Sequence, residues 1–245
     1  CIRDSYCSEP TLASTFNKAL ALAEGEMMGE DSLYCGASFL YGPGTNLHRT
    51  PYGGRATEYY YADPVLNSLI GAEQVKGGWS KGLVMVVKHF SANDQEQNRI
   101  GVATFVTEQD LRENMLRGFE GLMTYGGAMG LMGSYNRLGV LGTAAEYDLM
   151  TTVLRKEWGF DGVVMTDWGA VHDRAAGIKA GLDLEMPGDT AICRRWILDA
   201  AQDGSLHMAD LDQACRNILK WIDQYAKPAD ETPVDWQTHH DLAGE

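Results

Sequence analysis

Apolar residues along this chain follow two alternating patterns. In the first they recur every three or four positions, the spacing that lines one face of a helix. The stretch 208–225 is the cleanest case. Leu211, Cys215, Ile218, Leu219, Ile222 and Tyr225 share a face there, while Asp212, Arg216, Lys220 and Asp223 lie elsewhere. The stretch 11–28, rich in Ala and Leu, predicts a helix, and 64–74 the start of another. Across 144–157, Tyr147, Met150, Val153, Leu154 and then Trp158 keep a helical rhythm, with Gly159 as the stop. In the second pattern the apolar runs are too short for helices: 37–41, 83–87, 128–133, 163–166 and 182–186. They do not alternate with polar residues, so they predict strands buried on both faces, as parallel strands are.

Strands alternating with helices predict an α/β fold, and the length suits a (β/α)8 TIM-type barrel, which needs ~250 residues. Five strand-like runs in 245 residues fall short of the eight in a closed barrel. The barrel is therefore expected to be partial. The runs also end alike: 83–87 leads into Lys88-His89, 128–133 into Ser134-Tyr135-Asn136, and 163–166 into Asp167-Trp168. Polar groups gathered at the C-terminal ends of parallel strands are where barrel enzymes keep their chemistry.

Composition narrows the function classes. A chain 44% hydrophobic and 22% charged is not disordered, and 34 acids against 20 bases (net −14) argue against a nucleic-acid partner. No apolar run approaches the ~20 residues of a membrane span, so no membrane partner is expected. Five cysteines without a C-x-x-C spacing, and no signal-peptide pattern at the first residue, lead to an expectation of a reducing cytoplasm. His48, His89 and His172 have no local metal-ligand spacing, so no metal site is expected. Gly78-Trp79-Ser80-Lys81-Gly82 fits a nucleophile elbow, but it precedes a strand instead of following one and reads as a helix-ending turn.

Asp167 is the sharpest candidate and has two readings. It is either the N-cap of a helix starting near Ala170 or a nucleophile aimed into the barrel mouth. Lys88 and His89 in succession are costly to bury unless partnered, and a strand-end lysine also suits a Schiff base. Arg55 lies in a tight glycine-containing loop and either presents its guanidinium to a ligand or pairs with Glu58. Tyr135 and Met132, taken singly, read as core.

Several stretches, in order, resemble glycoside hydrolase family 3. They begin with Gly42-Pro43-Gly44-Thr45-Asn46-Leu47, Arg49-Thr50-Pro51 with Gly54-Arg55, and Asp63-Pro64. Lys88-His89-Phe90 with Asn93-Asp94-Gln95-Glu96, Ser134-Tyr135-Asn136 and Glu157-Trp158-Gly159-Phe160-Asp161-Gly162 follow. Thr166-Asp167-Trp168-Gly169-Ala170 and Ala180-Gly181-Leu182-Asp183-Leu184-Glu185-Met186-Pro187-Gly188 complete the series.

The resemblance implies a β-glucosidase-like retaining glycosidase without a cofactor, with Asp167 as the nucleophile that forms a glycosyl-enzyme ester. It implies that Arg55, Lys88 and His89 bind sugar hydroxyls. Tyr135 would hold Asp167, Met132 and Trp168 would wall the subsite, and Arg3 would match a further sugar-binding arginine. The partner would be a β-linked glucoside or oligosaccharide.

Two elements of the family pattern are missing. Its Asp-Gly-Pro motif is absent, so the barrel is expected to be incomplete at its N-terminal end. The acid/base carboxylate normally comes from a C-terminal α/β domain, here expected from the rest of the same protein or a partner chain. The barrel is accordingly expected over 1–227 and a linker to that domain over 228–245. Glu96 and Glu185 could stand in for the acid, but they are expected to hold loops by pairing with Arg99 or Lys88. The loop after Lys88-His89-Phe90 has no histidine, which disfavours N-acetylglucosamine as the sugar. The competing readings are a catalytically weak sugar-binding barrel, a β-xylosidase-type member of the family, and a metal hydrolase or aldolase.

Overall fold

The computed structural model describes residues 6–188, 190–229 and 232–244. Strands β1 (Phe39–Leu40), β2 (Val84–Phe90), β3 (Gly130–Gly133) and β4 (Val163–Thr166) pair in that order as one parallel sheet. β3 and β4 are buried throughout, and β2 everywhere except at Lys88, as two-faced burial requires. Val84, Val86, Met132, Val163 and Met165 pack on one face with Met186 and Trp221. Met85, Val87, Phe90, Leu131 and Val164 pack on the other with Leu116, Phe119 and Leu122.

The expected fifth strand, 182–186, shrinks to a single parallel bridge between Met165 and Leu184. The Asp183 side chain explains this: its Oδ2 accepts the Val164 N–H (2.8 Å), a donor otherwise available to a strand neighbour. The strands therefore trace an arc of a barrel. At its lower edge the Trp221 ring stacks on Phe39 (3.9 Å between centroids) and donates its Nε1–H to the Met129 carbonyl (2.9 Å).

The helices lie around this arc. The predicted helix 11–28 is in fact two, α1 (Glu9–Ser14) and α2 (Lys18–Tyr34). Phe16 at φ 52° breaks the chain between them, and Asn17 caps α2 by accepting the N–H groups of Ala19 and Leu20. α3 (Pro64–Lys81) starts on the Asp63 cap and stops at Gly82 with φ 96°, so the 78–82 motif is indeed a helix end. The predicted helix 144–157 resolves into a short turn, Thr143–Ala145, and a widened helix, Asp148–Glu157, ended by Gly159 at φ 70°.

α4 (Arg117–Thr124), α5 (Arg174–Ala180), α6 (Thr190–Gln202), α7 (Met208–Tyr225) and α8 (Trp236–Ala243) complete the main elements. On α7 the buried face is set by Ala214 and Trp221, with Leu211, Ile218 and Tyr225 half-buried beside them. Cys215, Leu219 and Ile222, expected on that face, are exposed. Trp221 has the largest apolar area to hide and so fixes the rotation of the helix.

Within the stretch read as a linker, α8 docks on α2 through His239, whose Nδ1 lies 2.8 Å from Asp31 Oδ1 and Nε2 3.1 Å from Glu30 Oε2. A small sheet of Ala103–Thr104, Arg137–Leu138 and Leu141–Gly142 was not foreseen. Among the described residues no helix is long and apolar enough to cross a membrane.

Candidate active site

β2 runs three residues further than its apolar core suggests, so Lys88 and His89 lie within the strand instead of beyond it. Asn46 fixes the His89 backbone: its Oδ1 accepts the His89 N–H (2.8 Å) and its Nδ2 donates to the His89 carbonyl (3.0 Å). The peptide between Lys88 and His89 is cis. β3 leads into Ser134 and Tyr135, and the Asp167 N–H donates to the Gly133 carbonyl (3.0 Å), carrying β4's pairing one residue past its end.

Asp167 is not a helix cap. The following helix, α5, begins at Arg174 and is capped by Asp173, whose Oδ1 accepts the Ala176 N–H (2.9 Å). Asp167 Oδ1 accepts the Trp168 N–H (2.6 Å). Its Oδ2 is buried and makes no hydrogen bond among the described residues. That oxygen lies 3.4 Å from His89 Nε2 and 3.9 Å from Arg55 Nη1. The carboxylate thus keeps one oxygen anchored and one free.

The surrounding groups balance its charge. Arg55 donates from Nη2 to His89 Nε2 (3.0 Å) and pairs through Nε with Glu58, while Nη1 sits 4.0 Å from Glu96. The Glu58 pair is therefore formed, and it leaves the terminal nitrogens of Arg55 on the side of His89 and Asp167. Lys88 Nζ lies 3.9 Å from Glu58 Oε2. Burial, and then the positive charges of Arg55, Lys88 and Arg99, hold the His89 pKa well below the usual imidazole value, so it stays neutral. Tyr135 donates its hydroxyl to the Trp168 carbonyl, and burial followed by the Asp167 charge raises its pKa.

The structure brings Arg55, Lys88, His89, Tyr135 and Asp167 together, with Trp168 exposed at the rim (64%). Met132, one residue before the end of β3, is buried and packs with Val84, Val86 and Met165 on the same face of the sheet, at the floor below the strand ends. Arg3 lies outside the described residues. Glu96 pairs with Arg99 as expected (2.8 Å), but Glu185 pairs with Arg174 (2.8 Å), the first residue of α5, not with Lys88 or Arg99.

Three residues join the site without having been expected there. Arg99 lies over the Tyr135 ring (4.1 Å to its centroid), Tyr59 Oη is 3.2 Å from His89 Nδ1, and Asn93 donates to Tyr59 Oη (3.0 Å). Asn93 was visible inside a matched motif. Arg99 and Tyr59 carried no pattern of their own. No group of three or more His, Cys, Asp or Glu able to hold a metal occurs among the described residues.

This arrangement can present an unpaired carboxylate oxygen to an electrophilic carbon while cationic and neutral donors grip hydroxyl groups around it. The chain is similar to known proteins in both sequence and fold. Thermostable beta-glucosidase B of Acetivibrio thermocellus is 39% identical over 97% of this chain and 32% of its own length. An exo-alpha-(1->6)-L-arabinopyranosidase of Bifidobacterium longum is 37% identical over 95% of the chain and 31% of its own length. The structure of beta-glucosidase 3B from Thermotoga neapolitana in complex with glucose superposes with a TM-score of 0.91 at 37% identity, covering 98% of this chain and 35% of that one. The chain thus spans about a third of the relatives it matches. The profile of the glycosyl hydrolase family 3 N terminal domain matches residues 6–221, and the chain belongs to that family.

Proposed function

We propose that this chain is the nucleophile-bearing barrel of a retaining β-glucosidase. The free Oδ2 of Asp167 attacks carbon one of a terminal β-D-glucosyl unit and forms an ester as the bond to the leaving oxygen breaks. The leaving oxygen takes a proton from an acid outside this chain. Water, deprotonated by the same group, then attacks carbon one, and β-glucose leaves with Asp167 restored. The charge that develops at carbon one is positive, so an ionised carboxylate beside it lowers the barrier.

The remaining residues take supporting roles. Arg55, Lys88 and Arg99 donate to sugar hydroxyls, and Trp168 offers its exposed face to the sugar or aglycone. Glu58 and Glu96 are committed to Arg55 and Arg99, which leaves neither as a ready acid. The reading rests on one observation: a buried carboxylate oxygen without a hydrogen bond, within 4 Å of Arg55 and His89, at the C-terminal end of parallel strands.

A 2-deoxy-2-fluoro-glucoside with a good leaving group tests it, because the fluorine slows both formation and hydrolysis of the ester while the leaving group speeds only its formation, so the ester accumulates. Peptide mass spectrometry should find the fluoroglucosyl label on Asp167, and a label on any other carboxylate would overturn the assignment. One relative is an arabinopyranosidase at nearly the same identity as the β-glucosidase. Aryl β-D-glucoside should therefore be compared with aryl α-L-arabinopyranoside, and a higher kcat/KM on the latter would replace glucose as the substrate.

A further inference from the structure

The neutral His89 ring can carry its proton on either nitrogen, and its neighbours decide which. Arginine has no acceptor, so the 3.0 Å contact between Arg55 Nη2 and His89 Nε2 requires a lone pair on Nε2. The proton then sits on Nδ1, and Tyr59 Oη, 3.2 Å away, receives it. Tyr59 is itself 3% exposed, and Asn93 Nδ2 donates to the same oxygen from 3.0 Å, pinning it from the other side. Asn46 clamps the His89 backbone, and of the oxygens near Nδ1 the phenol is the closer, with Glu58 Oε1 at 4.0 Å.

We propose that Tyr59 is a positioning residue that fixes the tautomer of His89, and through His89 aims the guanidinium of Arg55 at Asp167. With the proton on Nδ1, Nε2 draws Arg55 Nη2 inward and sets Nη1 at 3.9 Å from Asp167 Oδ2. With the proton on Nε2, two donors would face each other across 3.0 Å, and the imidazole N–H would turn to the free Asp167 oxygen 3.4 Å away. That would tie up the attacking oxygen and push Arg55 back. A buried N–H without an acceptor is costly, so the proton can stay on Nδ1 only because the phenol oxygen accepts it there.

The kinetic consequence rests on Asp167 acting as proposed above, whereas the tautomer does not. Two-bond nitrogen–proton correlation spectra of the uniformly 15N-labelled protein, with no glycoside added, read the His89 ring directly. The His89 signals are identified by their loss in His89→Gln. Wild type should show a protonated Nδ1 and an unprotonated Nε2, and Tyr59→Phe should move the proton to Nε2. The same variant should lower kcat/KM on an aryl glucoside about tenfold, one hydrogen bond's worth. An Nε2-protonated ring in wild type overturns the proposal, as does an unchanged ring in folded Tyr59→Phe. The wild-type spectrum decides even where the variant fails to fold, and it stands whether or not the protein proves to be a glycosidase.

Discussion

Replacing Asp167 with Ala separates chemistry from stability. The truncation removes the acceptor of one backbone N–H, that of Trp168, which sits in an open turn where water can replace it. It also removes the attraction of Arg55 at 3.9 Å, worth ~4 kcal/mol at an effective dielectric constant of ~20. Glu58 and Glu96 already pair with Arg55, and releasing the carboxylate from a site where it is 85% shielded offsets much of the rest. The net loss of stability should stay within about 1 kcal/mol, read as a small shift of the urea midpoint.

Turnover should suffer far more. Removing a nucleophile from a group of residues that act as a unit costs ~10³-fold or more in kcat, over 4 kcal/mol of barrier. Azide is small enough to enter the space left by the carboxylate and attack carbon one from the same face. With an activated aryl β-glucoside and the chain in its full natural context, azide should restore turnover and yield the α-glucosyl azide, inverted once. Activity within tenfold of wild type, or a rescued product of β configuration, would refute Asp167 as the nucleophile.

Further expectations concern the frame that holds the site. The Asp183 side chain is 2% exposed and accepts from the Val164 N–H, Arg155 Nη2 (2.7 Å) and Asn217 Nδ2 (2.8 Å). Asp183→Ala should therefore cost ~3 kcal/mol in urea unfolding by taking the carboxylate from all three, although Arg155 keeps the Gly162 and Gly181 carbonyls. At Gly25 a β-carbon would stand 2.1 Å from the Gln74 carbonyl oxygen, so Gly25→Ala should force α2 and α3 apart. It should lower stability by ~1–3 kcal/mol despite alanine's better helix propensity, again read from the urea midpoint. Burial pushes the Asp94 pKa up to about 6 from 3.8, so the fold favours its protonated form. That contribution is complete below about pH 4 and is lost as the pH rises through 6. Asp94→Asn, which keeps the acceptor for the Leu47 N–H, should therefore match wild type at pH 4 and exceed it at pH 7.5, and equal midpoint shifts at both values would refute the assignment.

The parts of the site readable from sequence are those that strands deliver. A buried apolar run ending in Ser134-Tyr135 or Asp167-Trp168 states both that a strand stops and that polar groups stand at its end. Lys88-His89 marks polar groups among the last residues of β2, although that strand runs on to Phe90. Only function or pairing offsets the cost of burying such groups. Asp167 itself stayed undecided between cap and nucleophile, since an aspartate before a helix looks the same in either role. The cap reading falls because Asp173, six residues on, takes the cap of the following helix. Tyr59 and Arg99 were illegible for another reason. They reach the site from loops, where no periodicity ties a position to a direction, and each acts on a residue far away in sequence: Tyr59 on His89 in β2, Arg99 on Tyr135 just past β3.

The errors in the fold reading have the same physical origin. Helix periodicity on α7 weighed Leu219 and Ile222 equally with Trp221, yet the indole alone docks on Phe39 and Met129 and turns the other two to the surface. The fifth strand failed where Asp183 substituted a carboxylate for a ladder partner at Val164. Both cases set a side chain's tertiary partner against its local pattern, and the partner prevailed. The same rule governs the active site: Arg55 looks like a surface ion pair in its own loop, and only the His89 lone pair, held in place by Tyr59, turns its free nitrogens toward Asp167.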